Sequence, residues 1–547
     1  MATVTLTPEE IDALEPDYIG PTWQRGVFGE WILPKATLGW EVAAWCADYL
    51  LAEDGGPWRF TAEQLRFVLH WYAVDEYSGR FNHRVGILQR LKGWGKDPLL
   101  AVLCLVEFLG PSRFSHWDKE RNPVGKAHPQ AWVQVAAVNR EQTKNTMTLL
   151  PSLMSQKLIE TYGIKAGAEL IRAGNGTKRL EAVTSSYRAL EGARSTFVCL
   201  NETQHWVSGN NGHSMMETID GNITKKDSRY LAITNAYLPG EDSVAERMRE
   251  AYEKVREGKA EDVGVMYDSV EADPRTPLTP EALRIVIPKI RGDAVWLNVD
   301  AIIKSTLSLV ISPARARRMY LNMVVADEDA LYGPEQLRAI ENAGATLQPG
   351  DEITLGFDGG KTGDDTALVA YRLSDATSFV LGHWFKPEGP KGDDWQVDKG
   401  AVDSAVREAH ALYNVRGFYA DVALWESHIA DWEADFAEGY SIKASERSPV
   451  GLDMRQNQRR LTLAHERIMQ TIFDAKTFYD GDPAMRRAAL SAYRRVNNYG
   501  VSFGKLSRES SRKVDLYAAW MLAHEAAYDV RTRGKKKVQR TGRGYFL

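Results

Sequence analysis

Hydrophobic and polar positions change period along the chain, and each change predicts an element. In TAEQLRFVLHWYAVD (61–75), Leu65, Phe67, Val68 and Trp71 recur at helical spacing behind a capping Thr61, with Gln64 in the first turn. Similar spacing after Trp40 predicts a short helix. Val85 to Leu88 read as a strand, RLKGWGKD (90–97) as a loop, and Pro98 to Phe108 as a strongly apolar helix, in whose first turn the proline costs no intrahelical bond. Strands are also predicted from Trp132 to Ala136, from Phe197 to Leu200 running into Asn201 and Glu202, and within RYLAITNAYLP (229–239), ending at Thr234 and Asn235. The proline-rich GVMYDSVEADPRTPLTPE reads as a connecting loop. Farther on, Ile353, Leu355 and Phe357 alternate with smaller or polar residues, which predicts a half-buried strand running out at Asp358 into Gly359 and Gly360. A tight turn follows, then a returning strand from Thr366 to Tyr371. Another strand-like run ends at Asp421, with Glu426 shortly after, and KVDLYAAWMLAHEAA sets Asp515 in the first turn of an apolar-faced helix.

The first half carries the pattern of a nucleotide site. In the order strand, glycine loop with Gly93 and Gly95, Lys96, helix, backbone N–H groups and the helix start cradle phosphates while the lysine reaches them. Two departures stand out, because Arg90 replaces the first glycine of the usual loop and Asp97 the usual Ser or Thr. In a phosphate-loop ATPase the strand end at Asn201 and Glu202 is where an acidic group handles magnesium and the next glutamate activates water. Here Asn201 stands at the first of those positions. Asp97 and Asn201 are read as having exchanged duties, one fixed negative charge being supplied from the loop instead of the strand; the alternative is that Asp97 caps the helix or faces solvent.

In the second half Asp358 and Asp421 sit at strand ends and Asp515 at a helix start, so the three can converge although far apart in sequence. Oxygen-only ligation suits magnesium or manganese, and two such ions can hold a phosphodiester and orient a water. The arrangement resembles the ribonuclease-H-like nuclease fold. Asp365 and Glu426 are weaker metal candidates, placed to lie just outside the first set. The simpler reading of Asp358 is an exposed residue on an ordinary hairpin.

Composition narrows this picture without redirecting it. At 547 residues the chain is too long for one ordinary core, and 26% charged residues fit a soluble globular protein. Its three cysteines form no metal pattern, and the sequence carries no transmembrane-length apolar stretch. A formal charge of -5 leaves room for a local basic channel. The charge concentrates before Asp515, at Arg486, Arg487, Arg494, Arg495, Lys505, Arg508, Arg512 and Lys513, which can flank a DNA backbone or form a solvated face. Arg455, Arg459 and Arg460 are placed on a helix, followed by His465 and Arg467, and Arg315, Arg317 and Arg318 either contact phosphates or make structural ion pairs.

The ordered set, Gln64, RLKGWGKD, VQVAAVNREQTKNT, LNETQHW, AITNA and then the carboxylates, resembles the large subunit of a tailed-phage terminase over nearly the whole length. The resemblance implies an α/β protein with a phosphate-loop ATPase domain of parallel-sheet type and a ribonuclease-H-like nuclease. Along the chain they are expected as a lead-in over 1–60, the ATPase over 61–345 and the nuclease over 346–530, with the boundary near NAGATLQPGDE (342–352), where glycine and proline follow the last helix of the first domain. A basic tail over 531–547 lacks apolar periodicity and reads as disordered. It implies ATP and Mg2+, with Mn2+ possible at the nuclease. Gln64 would read the adenine, Lys96 handle phosphate and Glu202 position water. Thr234 and Asn235 would couple nucleotide state to movement, and Arg90 or Arg84 would supply positive charge at the transferred phosphate. The implied partners are double-stranded DNA, a portal protein, a small terminase subunit and further copies in a ring on the portal. The implied location is the cytoplasm of an infected bacterium and, transiently, the prohead portal. Two rivals remain at this stage: a DNA repair or restriction ATPase-nuclease, and an assembly motor whose second domain binds DNA without cutting it.

Overall fold

The protein is described by a computed structural model over residues 6–184, 192–223, 228–360, 365–387, 395–505 and 513–533. The chain divides into two compact units, Met1–Asp327 and Glu328–Leu547.

The strands of the first unit are β1 (Asp17–Ile19), β2 (Val85–Gln89), β3 (Arg113–Trp117), β4 (Pro123–Lys126), β5 (Trp132–Ala136), β6 (Lys165–Ala166), β7 (Leu170–Ala173), β8 (Lys178–Val183), β9 (Phe197–Asn201), β10 (Arg229–Thr234) and β11 (Val265–Glu271). They build a sheet in the order β1-β11-β2-β10-β9-β5-β8-β7-β6, with β3 and β4 as a separate hairpin. From β11 through β8 every neighbour is parallel, and the two margins are antiparallel. Every residue of β9 and β10 is buried, which is why both read as unbroken apolar runs. The helix Lys96–Leu109 leaves β2 through the glycine loop and is buried at nearly every position from Leu99 onward. The helix Ala62–Trp71 starts at a capping box in which Thr61 accepts from the Gln64 amide and the Gln64 side chain accepts from the Thr61 amide.

Two segments depart from the sequence reading. GVMYDSVE is not a connecting loop, since Val265–Glu271 forms β11 between β1 and β2. Its prolines all follow the strand, and its Met266, Tyr267 and Val270 are buried. The lead-in is likewise part of the sheet, because β1 pairs with β11 across Asp17–Glu271 to Ile19–Ser269.

In the second unit, β12 (Glu352–Gly359), β13 (Thr366–Arg372), β14 (Thr377–Trp384), β15 (Asn414–Ala420) and β16 (Phe478–Tyr479) form a sheet ordered β15-β12-β13-β14-β16. β17 (Tyr493–Asn497) and β18 (Gly500–Gly504) make a separate hairpin. The helix Asp515–Arg533 crosses β12 at Gly356, where a Cβ would land on the Ala519 carbonyl and the Ala523 amide, and the Thr354 hydroxyl donates to the Ala523 carbonyl at 2.7 Å. Only a residue without a side chain admits the helix this close. The helix continues to Arg533, so Arg531, Thr532 and Arg533 are ordered helix rather than tail; residues 534–547 lie outside the described residues. Arg455 precedes the helix Gln458–Phe473 rather than lying on it.

The units divide before the NAGATLQPGDE stretch at which the sequence sets the boundary. Leu331, Tyr332, Leu337 and Ile340 are buried in the second unit's core with Tyr479 and Tyr517, and the Tyr332 and Tyr517 hydroxyls share a hydrogen bond of 2.6 Å. Among the described residues no helix is long and apolar enough to cross a membrane.

Candidate functional site

In the first unit the parallel register brings the sequence candidates to one crevice. Thr234 pairs with Gln89 and Asn201 with Ile233, so β2, β10 and β9 deliver Arg90, Asn235 and Glu202 side by side at their carboxyl ends. That is where an open parallel sheet binds ligands. The loop bends through Gly93 at φ 85° and Gly95 at φ 95°, conformations open to glycine, and a Cβ at either would press on Leu297 or Trp296. Trp296 also donates its indole N–H to the Gly93 carbonyl at 3.1 Å.

Lys96 is buried and its Nζ donates to the Arg90 and Leu91 carbonyls at 3.1 and 3.2 Å. Burial draws its ammonium down to about 8, while the charges of Asp97 and Glu202 oppose that shift. Asp97 is half-buried, and burial raises its pKa; the charge of Lys96 and the Asn201 amide act in the opposite direction. Asp97, Asn201, Lys96 and Glu202 thus form one electrostatic group.

Glu202 sits at φ 53°, unusual for a residue with a side chain, at the turn directly after β9. Its carboxylate accepts from Gln142 Nε2 at 2.9 Å. Asn201 donates from Nδ2 to Thr146 Oγ1 at 3.0 Å, while its buried Oδ1 has no hydrogen-bond partner among the described residues, and neither does Gln142 Oε1. Two orphaned carbonyl oxygens beside two carboxylates suit a hydrated cation. On the other flank, Gln204 Oε1 accepts from Thr234 Oγ1 at 2.8 Å and from the Asn235 amide at 3.3 Å, and Asn235 Nδ2 donates to the Arg90 carbonyl at 2.9 Å. Gln142, Thr146 and Gln204 were missed in the sequence because a polar residue on a helix or a turn carries no spacing signal.

The two candidate arginines are committed elsewhere. Arg90 is wholly buried, bonded to Glu63 at 3.0 Å, to the Asp268 carboxylate and to the carbonyls of Gln89 and Asp268. Arg84 is exposed and donates to the Ile223 carbonyl at 2.7 Å. Gln64 is buried within its capping box.

In the second unit, β12 and β15 run parallel with Phe357 opposite Ala420, and the Asp421 amide donates to the Phe357 carbonyl at 3.0 Å. Asp358 and Asp421 are therefore neighbours at the same end of the sheet. Asp515 lies one helical turn before Ala519, which touches β12 at Gly356, on the helix packed over the same strand. Asp421 Oδ1 accepts from the Met454 amide at 3.1 Å; burial raises the Asp421 pKa, as does Asp453, against the Met454 and Ala423 amides and Arg455. Lys505 Nζ is 3.8 Å from Asp515 Oδ2. Asp365 is bound by His383 Nε2 at 2.8 Å, and Glu426 is exposed in the first turn of its own helix, Glu426–Phe436. Among the described residues no three His, Cys, Asp or Glu side chains are close enough together to hold a metal ion as they stand.

Of the basic residues, Arg494 and Arg495 are exposed on β17, where Arg495 turns its guanidinium to the carbonyls of Arg494 and Lys505. Lys513 is half-buried, and Arg508 and Arg512 lie outside the described residues. Arg317 and Arg318 are structural, donating to the Thr276 carbonyl at 2.7 Å and to Asp327 at 2.9 Å.

No protein-family model matches the chain. It is 40% identical to the Gene 13 protein of Mycobacterium phage L5, over 95% of this chain and 96% of that one. It is 39% identical to the Gene 13 protein of Mycobacterium phage D29, over 98% of each. Among solved structures it is similar to the large terminase of bacteriophage HK97, with a TM-score of 0.48 and 16% identity over 90% of this chain and 100% of that one. The chain thus belongs to the family of these mycobacteriophage Gene 13 proteins.

Proposed function

We propose that this chain is the ATP-driven motor and metal-dependent endonuclease that packages double-stranded viral DNA into a prohead and cuts it from a concatemer. The observation that carries the motor half is the convergence of Lys96, Asp97, Asn201, Glu202, Thr234 and Asn235 on the ends of three adjacent parallel strands. Lys96 exchanges its loop carbonyls for nucleotide phosphates. Glu202, held by Gln142, orients the attacking water, and Gln204 ties its turn to Thr234 and Asn235 so that a change at the phosphate is felt along β10. Magnesium at Asp97 and Asn201 would neutralise the phosphate charge. With its donors committed to Glu63 and Asp268, Arg90 serves as a girder of the loop, which leaves the charge at the transferred phosphate to another residue.

For the second unit, Asp358, Asp421 and Asp515 would supply an all-oxygen donor set of the kind hard divalent cations take once an ion draws them together, and burial of Asp421 raises the cost of leaving its carboxylate without one. Such ions would activate water and stabilise the leaving oxygen of a phosphodiester. Portal, small terminase subunit and further copies of this chain are the partners this role requires. The test is cutting of supercoiled plasmid by the full chain in manganese, magnesium or EDTA: nicked and linear products with either metal and none in EDTA are expected. Cutting that persists in EDTA, or no cutting with either metal, contradicts the nuclease assignment.

A further inference from the structure

A second basic feature of the nuclease unit lies apart from the run before Asp515. An open cavity of about 580 Å³ is walled by Arg455, Arg459, Arg460, Arg467, Arg533 and Tyr499, with Glu525 at its base. Two of these arginines, Arg460 and Arg467, are fixed from beneath by carboxylates of the helix Asp515–Arg533. Arg467 grips Glu525 with Nε and Nη2 at 2.6 to 3.0 Å, Arg460 donates to Asp529 at 2.9 Å, and Arg533 stands 3.4 Å from Asp529. Both carboxylates are buried, so this wall is held in place before any ligand arrives. Arg455 and Arg459 are exposed, and among the described residues neither has an ion-pair partner within 4.0 Å. Five guanidinium groups facing two carboxylates leave the cavity strongly cationic, and planar guanidinium forks match phosphate oxygens two at a time.

Its location identifies the anion. Arg455 directly follows Met454, whose amide holds the Asp421 carboxylate, so the cavity begins beside the proposed cutting centre. On its far side stands Tyr499, half-exposed at the turn of the β17–β18 hairpin that carries Arg494 and Arg495. We infer that this cavity binds the backbone phosphates of double-stranded DNA next to the phosphodiester being cut, with Arg455 and Arg459 as the contacting residues and Arg460 and Arg467 as the wall that orients them. A single small anion would leave most of so open a space empty, whereas consecutive backbone phosphates, with Tyr499 against the sugar edge, use its length. The inference rests on the nuclease reading above.

The test uses the full chain with Arg455→Ala combined with Arg459→Ala, and the matching pair of lysine substitutions, each checked for an unchanged thermal midpoint. Binding of a labelled duplex of arbitrary sequence is measured in EDTA over a range of salt. Loss of two phosphate contacts is expected to weaken binding by about tenfold or more near 0.1 M salt, and to flatten the slope of log K against log salt by about 1 to 2. The lysine pair should recover most of the slope, because it keeps the charge. Affinity and slope unchanged in the alanine pair, with wild type binding and cutting DNA normally, overturn the cavity assignment and leave the nuclease reading intact. Wild-type protein that binds no duplex overturns both. Equal competition by free inorganic phosphate at millimolar concentration assigns the cavity to a small anion and also overturns it.

Discussion

At the residue scale the proposed nucleotide site turns on Lys96 and on the pair Asp97 and Asn201. Before nucleotide binds, burial holds Lys96 near 8, well below the ordinary 10.5 of a lysine. Phosphates beside it favour the charged form and push the pKa back up. The sign follows: below pH 8 the lysine is already charged and affinity is flat, whereas above pH 8 binding takes up a proton. Nucleotide affinity should therefore fall as pH rises from about 8 toward 10.5, by at most about tenfold per unit. Calorimetry in two buffers of different ionisation enthalpy reads the proton directly. A flat profile over that range, or an identical decline in Lys96→Arg, removes the lysine from the phosphate contact.

The second expectation at this scale concerns the exchange between loop and strand. The Asn201 amide favours the charged form of Asp97, so one carboxylate and one amide act together where two carboxylates would add a like charge beside Glu202. Asp97→Ser and Asn201→Asp should each lower magnesium-dependent ATP hydrolysis, and the double change should recover much of it. Additive losses in the cycle would deny Asp97 a role at the metal.

At the scale of elements, what the sequence showed and what it hid have the same cause. Strands buried on both faces announced themselves because β9 and β10 are unbroken apolar runs ending in polar residues. β11 did not, although it lies in the same sheet. Asp268, Ser269 and Glu271 interrupt its apolar pattern; Ser269 donates to Glu271 within the strand, but the carboxylates find their cationic partners only far off in sequence, Asp268 in Arg90 and Glu271 in Arg249, with Gln89 also donating to Glu271. No local pattern foretells that Arg90, which stands where a phosphate-loop glycine is usual, is the centre of a buried ion-pair cluster with Glu63 and Asp268. The loop arginine was legible as unusual, but its direction was not. The second unit offers the matching test of an element. Gly356→Ala puts a methyl into the backbone of the Asp515 helix, and overpacking at such a site should cost about 3 kcal/mol. The temperature at which DNA cutting is lost should drop by at least about 4 °C, with ATP hydrolysis retained. An unchanged inactivation temperature would mean that the helix does not cross β12 as closely as described.

For the whole molecule, the order of motifs is legible in the sequence, because the candidate residues Asn201, Glu202, Thr234, Asn235, Asp358 and Asp421 stand at the ends of apolar runs and Asp515 at the start of an apolar helix. The position of the division between units is not. Gly344, Pro349 and Gly350 advertise a boundary, yet Leu331, Tyr332 and Ile340 already belong to the second core through contacts with Tyr479 and Tyr517, which lie far ahead in the chain. Since Lys96 and Glu202 lie in one compact unit and Asp358, Asp421 and Asp515 in the other, the two chemistries should fail separately. The most direct measurement is ATP hydrolysis and manganese-dependent plasmid cutting, assayed side by side on full-length wild type, Lys96→Ala and Asp358→Ala. Lys96→Ala is expected to lose at least about 100-fold in hydrolysis, as removal of a single preorganised transition-state charge does, while still cutting plasmid. Asp358→Ala is expected to hydrolyse ATP at close to the wild-type rate and to cut nothing. Normal cutting by folded Asp358→Ala, or undiminished hydrolysis by Lys96→Ala, contradicts the assignment of a motor to the first unit and a nuclease to the second.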